Sequence, residues 1–459
     1  MNALNDRWGE PISTSNPSAA ESFAAGVEAL ATLDGDPARS AESAIDADRG
    51  FVLARCLAAY VILYAMTGQS RREAAEILDG LAESQDCSDF RTRAHLSAAF
   101  AWMQGDLRGA IGHLEVALLA HPRDLLAAKV VQDLYLFKGD SVNLRDSVNR
   151  IFLSWPPSLL GYDHLVGMRS FGLEENYNFE EGELLGRQAL SMNPRNVYAR
   201  HSLAHVHEML GRRSEGVEFL LDSQEQWNGS FSAVHMWWHL SLLYVDEGDY
   251  DRAKWVYDQK LCGTRAVVMH DLGDRAALLW RLYLLGDDIG ERGGRLSDDA
   301  QPYLADGTYV FNEFHLVIGE LLGARPSNAE LVLEKMRSRI GDPNDGRLVD
   351  EVGIPLCRGL IDFADCQYGE AAKLLSSIRY RSVELGGSHA QQDIVFQSAL
   401  VAAAAAGDEG LARALSAERV LTRPNSTSAA TRLVAAGRQW RKRSSAQANQ
   451  IPSSNVHGS

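Results

Sequence analysis

The stretch from Ala94 to Asp124, AHLSAAFAWMQGDLRGAIGHLEVALLAHPRD, decides the fold class. Two segments of helical periodicity flank a turn at Gly105-Asp106. Ala110 and Ala117 stand where the two helices of a hairpin must approach closely, and only small side chains allow that approach. Pro122 stops the second helix, because it lacks an N–H and its ring clashes with the preceding turn.

The same register extends along the chain in both directions. Gly182, Ala189 and Pro194 repeat the pattern in GYDHLVGMRSFGLEENYNFEEGELLGRQALSMNPRN, and the next unit has Gly211 at the turn and Gly216 at the small position. Gly182 and Gly216 are 34 residues apart, the tetratricopeptide period. Gly248 and Ala253 give a further, slightly stretched unit, 37 residues on from Gly216 to Ala253. Upstream, Phe51 to Leu81 reads as helix, turn and helix around Thr67-Gly68-Gln69-Ser70. Downstream, HDLGDRAALLWRLYLLGDDIGERGGRL predicts a strong helix running into a Gly- and Asp-rich loop, and two looser hairpins follow around Phe311 and Tyr368. The apolar segment from Gln391 to Pro424 is expected to cover the last open face. No alternating strand pattern occurs, so the expectation is an all-α, tetratricopeptide-like α-solenoid of helical hairpins, curled or closed on itself. Residues 1–18 are polar and read as a flexible tail, 19–440 as one helical repeat domain, and 441–459 as a disordered tail.

The chain has 459 residues, 46% of them hydrophobic, enough for a large core. Its 45 basic and 61 acidic side chains leave a net charge of −16, which argues against nucleic acid and anionic membranes as partners. Cys56, Cys87, Cys262, Cys357 and Cys366 are scattered and odd in number, the pattern of reduced core thiols in a reducing compartment. With neither a secretory signal nor a long apolar run visible, a cytoplasmic protein is expected.

Chemistry concentrates between Val197 and Gln259. His201 and His205 are four apart, as are His235 and His239, so each pair shares one face of a helix. In the repeat register all four, together with Glu208, belong to the first-helix stripe that lines the concave groove. Neighbouring first helices pack about 8–10 Å apart, so their side chains can converge on one point. Imidazoles so arranged could hold a divalent metal, with Glu208 in its first or second shell. They could also work without metal as proton donors and acceptors. His207 falls off this stripe and reads as structural.

Other candidates come from the C-terminal part. Asn312 and His315 lie near one another on a predicted helix. Gly386-Gly387-Ser388-His389, with Gln391 and Asp393 behind, suggests a tight turn at a helix mouth whose free N–H groups could hold an anion. Ser388 is equally suited to be that helix's N-cap. Asp274 and Arg281, seven apart, share a helix face and are expected to serve a structural ion pair with another helix. Trp238 could wall a pocket. The sequence has no P-loop, no G-x-G-x-x-G, no H-E-x-x-H and no G-x-S-x-G, so nucleotide and flavin cofactors are not expected.

The runs HSLAHVHEMLGRRSEGVEFL, VHMWWHLSLLYVDEGDYDRAKWVYD, LLWRLYLLGDDIGERGGRL, FNEFH and IRYRSVELGGSHAQQD together resemble the tetratricopeptide repeat protein 38 family, over Gly161 to Ala435. That family often has Gln-Gly where Leu210-Gly211 stands and Arg-Asp where Gln392-Asp393 stands. The resemblance implies the repeat fold, and it implies that His201, His205, His235, His239, Asn312 and His315 occupy the family's motif positions. Two functional readings follow. One is a small-molecule hydrolase or lyase whose catalytic groups are His201, His205, His235, His239, His315 and His389, with Glu208, Trp238, Asn312, Ser388 and Asp393 around the substrate and Glu208 or Asp393 orienting a ring. The other is a scaffold that binds a peptide or protein partner in an open groove.

Overall fold

A computed structural model describes residues 4–81, 89–263 and 268–448. The chain is an all-α solenoid in which consecutive helices pack as antiparallel neighbours and the first helix of each pair stacks on the first helix of the next. The small residues of the repeat register sit at the close approaches. Gly182 packs against the backbone of Ser170 and Glu174, and Gly216 lies against His207 and Leu243, where an added Cβ would stand 2.9 Å from each. Gly105, Gly211 and Gly248 all take positive φ at the turns, a conformation glycine adopts without the Cβ penalty.

The array closes on itself. The Gly68 amide donates to Asp306 Oδ1 (2.7 Å), and Thr308 Oγ1 donates to the Met66 carbonyl (3.0 Å). Tyr309 Oη donates to the Phe137 carbonyl (3.1 Å), the Gly387 amide to the Leu136 carbonyl (3.1 Å), and Asn425 Nδ2 to the Leu210 carbonyl (3.0 Å). The helix His389–Ala406 returns from the C-terminal end to touch both Val197–Met209 and Met269–Leu284. It therefore lies against the stripe that an open array would leave as a groove, and every residue of Val197–Met209 is buried.

Four expectations need correction. The N-terminal segment is folded: Leu4–Asn5 pairs antiparallel with Pro11–Ile12, and Trp8 and Ile12 are buried in the core. Its polar composition masked one large apolar anchor, and Asp6 ties the turn down by accepting from the Trp8 and Glu10 amides. At the other end the helix Thr427–Ala448 runs past residue 441; the remainder of the expected tail lies outside the described residues. The Gly- and Asp-rich stretch is only a short connection, because Gly293 and Gly294 already belong to the helix Arg292–Ala300. Gly293 is there because a Cβ would meet the Leu322 carbonyl at 2.2 Å. Cys56 and Cys357 are buried, but Cys262 is only half-buried and Cys366 is exposed, so they are not all core thiols; Cys87 lies outside the described residues. No helix among the described residues is long and apolar enough to cross a membrane.

Candidate metal centre

Val197–Met209 starts at Asn196, whose side chain accepts from the Ala199 amide, and Ala233–Glu247 ends at the left-handed Gly248. Between those limits the i,i+4 pairs are carried on facing stripes, and the four rings meet. His205 Nε2 is 3.0 Å from His201 Nε2, which is 3.1 Å from His235 Nε2, which is 3.2 Å from His239 Nε2. One ligand atom from each of the four lies within 4.8 Å of all the others. His201, His205 and His239 are buried, and His235 is the most exposed of the four, with 12% of its side-chain surface accessible.

Hydrogen bonding alone does not account for this cluster. A neutral imidazole Nε2 carries either one proton or one lone pair, so each can take part in only one N–H···N bond of good geometry. Four such atoms support at most two bonds, yet they make three contacts at hydrogen-bond distance. By contrast, four nitrogens about 2.0–2.1 Å from one tetrahedral ion lie about 3.3 Å apart, close to what is seen.

The far sides of the rings point the same way. His235 Nδ1 donates to Asp274 Oδ2 (2.8 Å), and His239 Nδ1 to Glu208 Oε2 (3.3 Å). His205 Nδ1 faces Glu174 Oε2 and Glu175 Oε1, each at 3.5 Å. Ionised Asp274 and Glu208 only accept, so His235 and His239 carry the proton on Nδ1 and turn the Nε2 lone pair inward. Burial, then the neighbouring imidazoles, holds His201 and His205 well below the ordinary histidine range, and burial lowers His239 against the pull of Glu208. Neutral imidazoles are the ligand form. Burial would raise Glu208 and Asp274, but His239 and Arg423 outweigh it for the first and His235 for the second, so both stay below the usual carboxylate range.

The remaining candidates divide. His389 lies beside the quartet, not in it: its ring stacks on Tyr177 (4.4 Å) and its Nδ1 is 3.7 Å from Glu175 Oε2. The anion expected at the helix mouth is the protein's own, since the His389 amide meets both Glu175 oxygens at 3.2 Å. Ser388 is the N-cap of that helix, and its amide donates to Gln391 Oε1 (3.0 Å), which serves the helix end and not a substrate. Asp393 orients no ring. Arg419 and Arg423 hold it well below the usual carboxylate range against the opposing effect of burial. Asn312 Nδ2 is taken by the Ala65 and Met66 carbonyls and locks the ring closure. Trp238 is fully buried and stacks on His235 (5.2 Å), so it backs the cluster and is closed to a substrate. His207 is buried beside Phe219, as a structural residue would be. Of the two residues expected to pair with another helix, Asp274 does so and Arg281 does not. Asp274 serves His235, and Arg281 donates to the Ala277 and Ala390 carbonyls.

His315 is buried against Phe311 and Phe314, and its Nδ1 donates to the Phe311 carbonyl (2.8 Å). Burial pushes it down to about 4 from the ordinary 6.5. Above the ordinary value it is neutral in both folded and unfolded chains. As pH falls from there towards 4, the unfolded chain takes the proton first and folding stability drops, by up to about 3 kcal/mol at full difference. Urea midpoints measured across this window should fall less steeply for His315→Gln than for wild type; equal slopes would contradict this account of the ring.

Glu174, Glu175, Asp274 and His270 are residues of this region that sequence reasoning passed over or assigned elsewhere. Two acids before a turn ordinarily face water; here a helix more than 200 residues later covers them. No family model matches the chain.

Proposed function

We propose that this chain is a metal-dependent hydrolase or lyase acting on a small molecule, with one divalent ion held by His201, His205, His235 and His239. The observation that carries the reading is the convergence of four inward Nε2 atoms whose outer nitrogens, in three of the four rings, face carboxylates. Imidazole sets of this kind suit Zn, Cu, Fe or Ni. A bound ion would act as a Lewis acid or lower the pKa of a bound water, with Asp274 and Glu208 fixing the rings. Approach would be from the His235 side, where the exposed His270 ring lies 5.2 Å from His235. The scaffold alternative loses support because the histidine stripe is buried under the helix His389–Ala406. We read the repeats as tetratricopeptide-like, of the protein 38 type, in a cytoplasmic protein without a nucleic-acid or membrane partner.

The test is elemental analysis of the purified full chain, together with turnover of p-nitrophenyl acetate and p-nitrophenyl phosphate by the Zn²⁺-loaded protein. Wild type should carry one ion or more and hydrolyse at least one ester faster than His239→Ala. A metal-free wild type, or rates that the substitution leaves unchanged, would end the reading.

A further inference from the structure

Beside the quartet is a second convergence that the proposed reaction does not use. Glu174 and Glu175 end the helix Tyr162–Glu174 and lie against the mouth of His389–Ala406. Glu174 has 0% exposure and neither of its carboxyl oxygens makes a well-formed hydrogen bond among the described residues; burial, then the adjoining Glu175 carboxyl, holds it well above the usual carboxylate range. His389 Nδ1 and His205 Nδ1 are likewise buried without a hydrogen bond. Buried polar atoms left without a well-formed bond are costly, and four of them meet at this point.

The spacings point to a shared ion in place of direct bonds. Glu174 Oε2 and Glu175 Oε1 each stand 3.5 Å from His205 Nδ1, and Glu175 Oε2 stands 3.7 Å from His389 Nδ1. These are long for hydrogen bonds. Two ligand atoms each about 2.0–2.2 Å from one ion lie about 3–3.6 Å apart, and the one ligand pair among these distances, Glu175 Oε2 to His389 Nδ1, stands just beyond that at 3.7 Å. One ligand atom from each of Glu174, Glu175 and His389 lies within 4.8 Å of the other two. Arg423, whose charge acts on both carboxyls, makes its hydrogen bonds to Glu208 Oε1 (3.1 Å) and the His389 carbonyl (3.2 Å).

We infer that Glu174, Glu175 and His389 form a second divalent-cation site, joined to the four-histidine site through His205. Two carboxylates and one imidazole suit a first-row transition ion better than an alkaline-earth one. The His205 ring presents Nε2 to the first site and Nδ1 to the second, so the charge at one tunes the basicity of the ligand at the other. This extends the proposed function, but the second triad shares no residue with the first four ligands and can be tested apart from them.

The full chain, stripped with chelator and dialysed, is titrated with Co²⁺, followed by visible absorption and by elemental analysis after gel filtration. Wild type should take up two ions per chain. Glu174→Gln and, nearer the surface, His389→Ala should each take up one, with thermal unfolding verifying that both fold. A Glu174→Gln protein that holds as many ions as wild type overturns the second site, whatever the wild-type stoichiometry. If His239→Ala keeps wild-type stoichiometry while Glu174→Gln loses an ion, the four-histidine reading fails and the second site stands.

Discussion

Stripping the full chain with chelator should lower its thermal midpoint, and adding back Zn²⁺ should restore it. An ion that binds the folded chain and not the unfolded one adds RT ln(1 + [L]/Kd), about 4 kcal/mol at a thousandfold excess over the dissociation constant. Nitrogens 3.0–3.2 Å apart with their lone pairs turned inward repel one another unless a proton or a cation stands between them. In His205→Ala and His239→Ala the four-ligand set is broken, and the Zn²⁺-dependent rise should shrink to whatever the second site supplies. The comparison uses the shift on adding ion, not the absolute midpoint, because removing a buried imidazole also leaves a cavity. Unfolding curves that superimpose with and without ion in wild type would rule out a structural contribution from the quartet.

The second large effect concerns ring closure. Gly139 ends the helix Leu125–Lys138 at φ +66, and a Cβ there would lie 1.7 Å from the Val383 carbonyl oxygen, a backbone atom with no rotamer to escape into. Gly139→Ala must therefore push apart the joint where Gly387 donates to Leu136 and Tyr309 to Phe137. Left-handed strain of about 1–2 kcal/mol and two weakened hydrogen bonds of about 1 kcal/mol each give a loss of about 3 kcal/mol or more. Gly248→Ala is the control. Its φ is +87 and nothing lies within 4 Å of the added methyl, so it should lose only the backbone term. Urea denaturation of the two variants separates them; equal losses would mean that the closure contributes nothing to stability.

The two experiments probe one geometry. The closure that Gly139 permits brings Gly387 and the helix His389–Ala406 against the middle of the solenoid. That helix buries Glu174 and Glu175 behind His205 and delivers Arg423 to Glu208 through the segment that follows it. A Gly139→Ala chain that remained folded would thus also be expected to bind Co²⁺ more weakly at Glu174, Glu175 and His389.

The local rules written in the sequence were enough for the hairpins and for half of the centre. Helical periodicity, small residues at Gly182, Gly216 and Ala253, and glycine turns at Gly211 and Gly248 specify the repeat, because each acts through neighbours within one or two turns. The i,i+4 spacing put His201 beside His205 and His235 beside His239, and a repeat of fixed register aimed both pairs at one stripe. What tertiary structure alone decided were the partners distant along the chain. Glu174, Glu175 and Asp274 became relevant to the histidines, and Asn312, Trp238 and Asp393 were diverted to structural roles, only once the solenoid closed. Likewise Trp8 turned a polar leader into a folded edge. The physical reason is that a carboxylate or an indole carries the same propensity whether it faces water or a buried ring. Its role is set by which helix packs over it, and no period in the sequence encodes that choice.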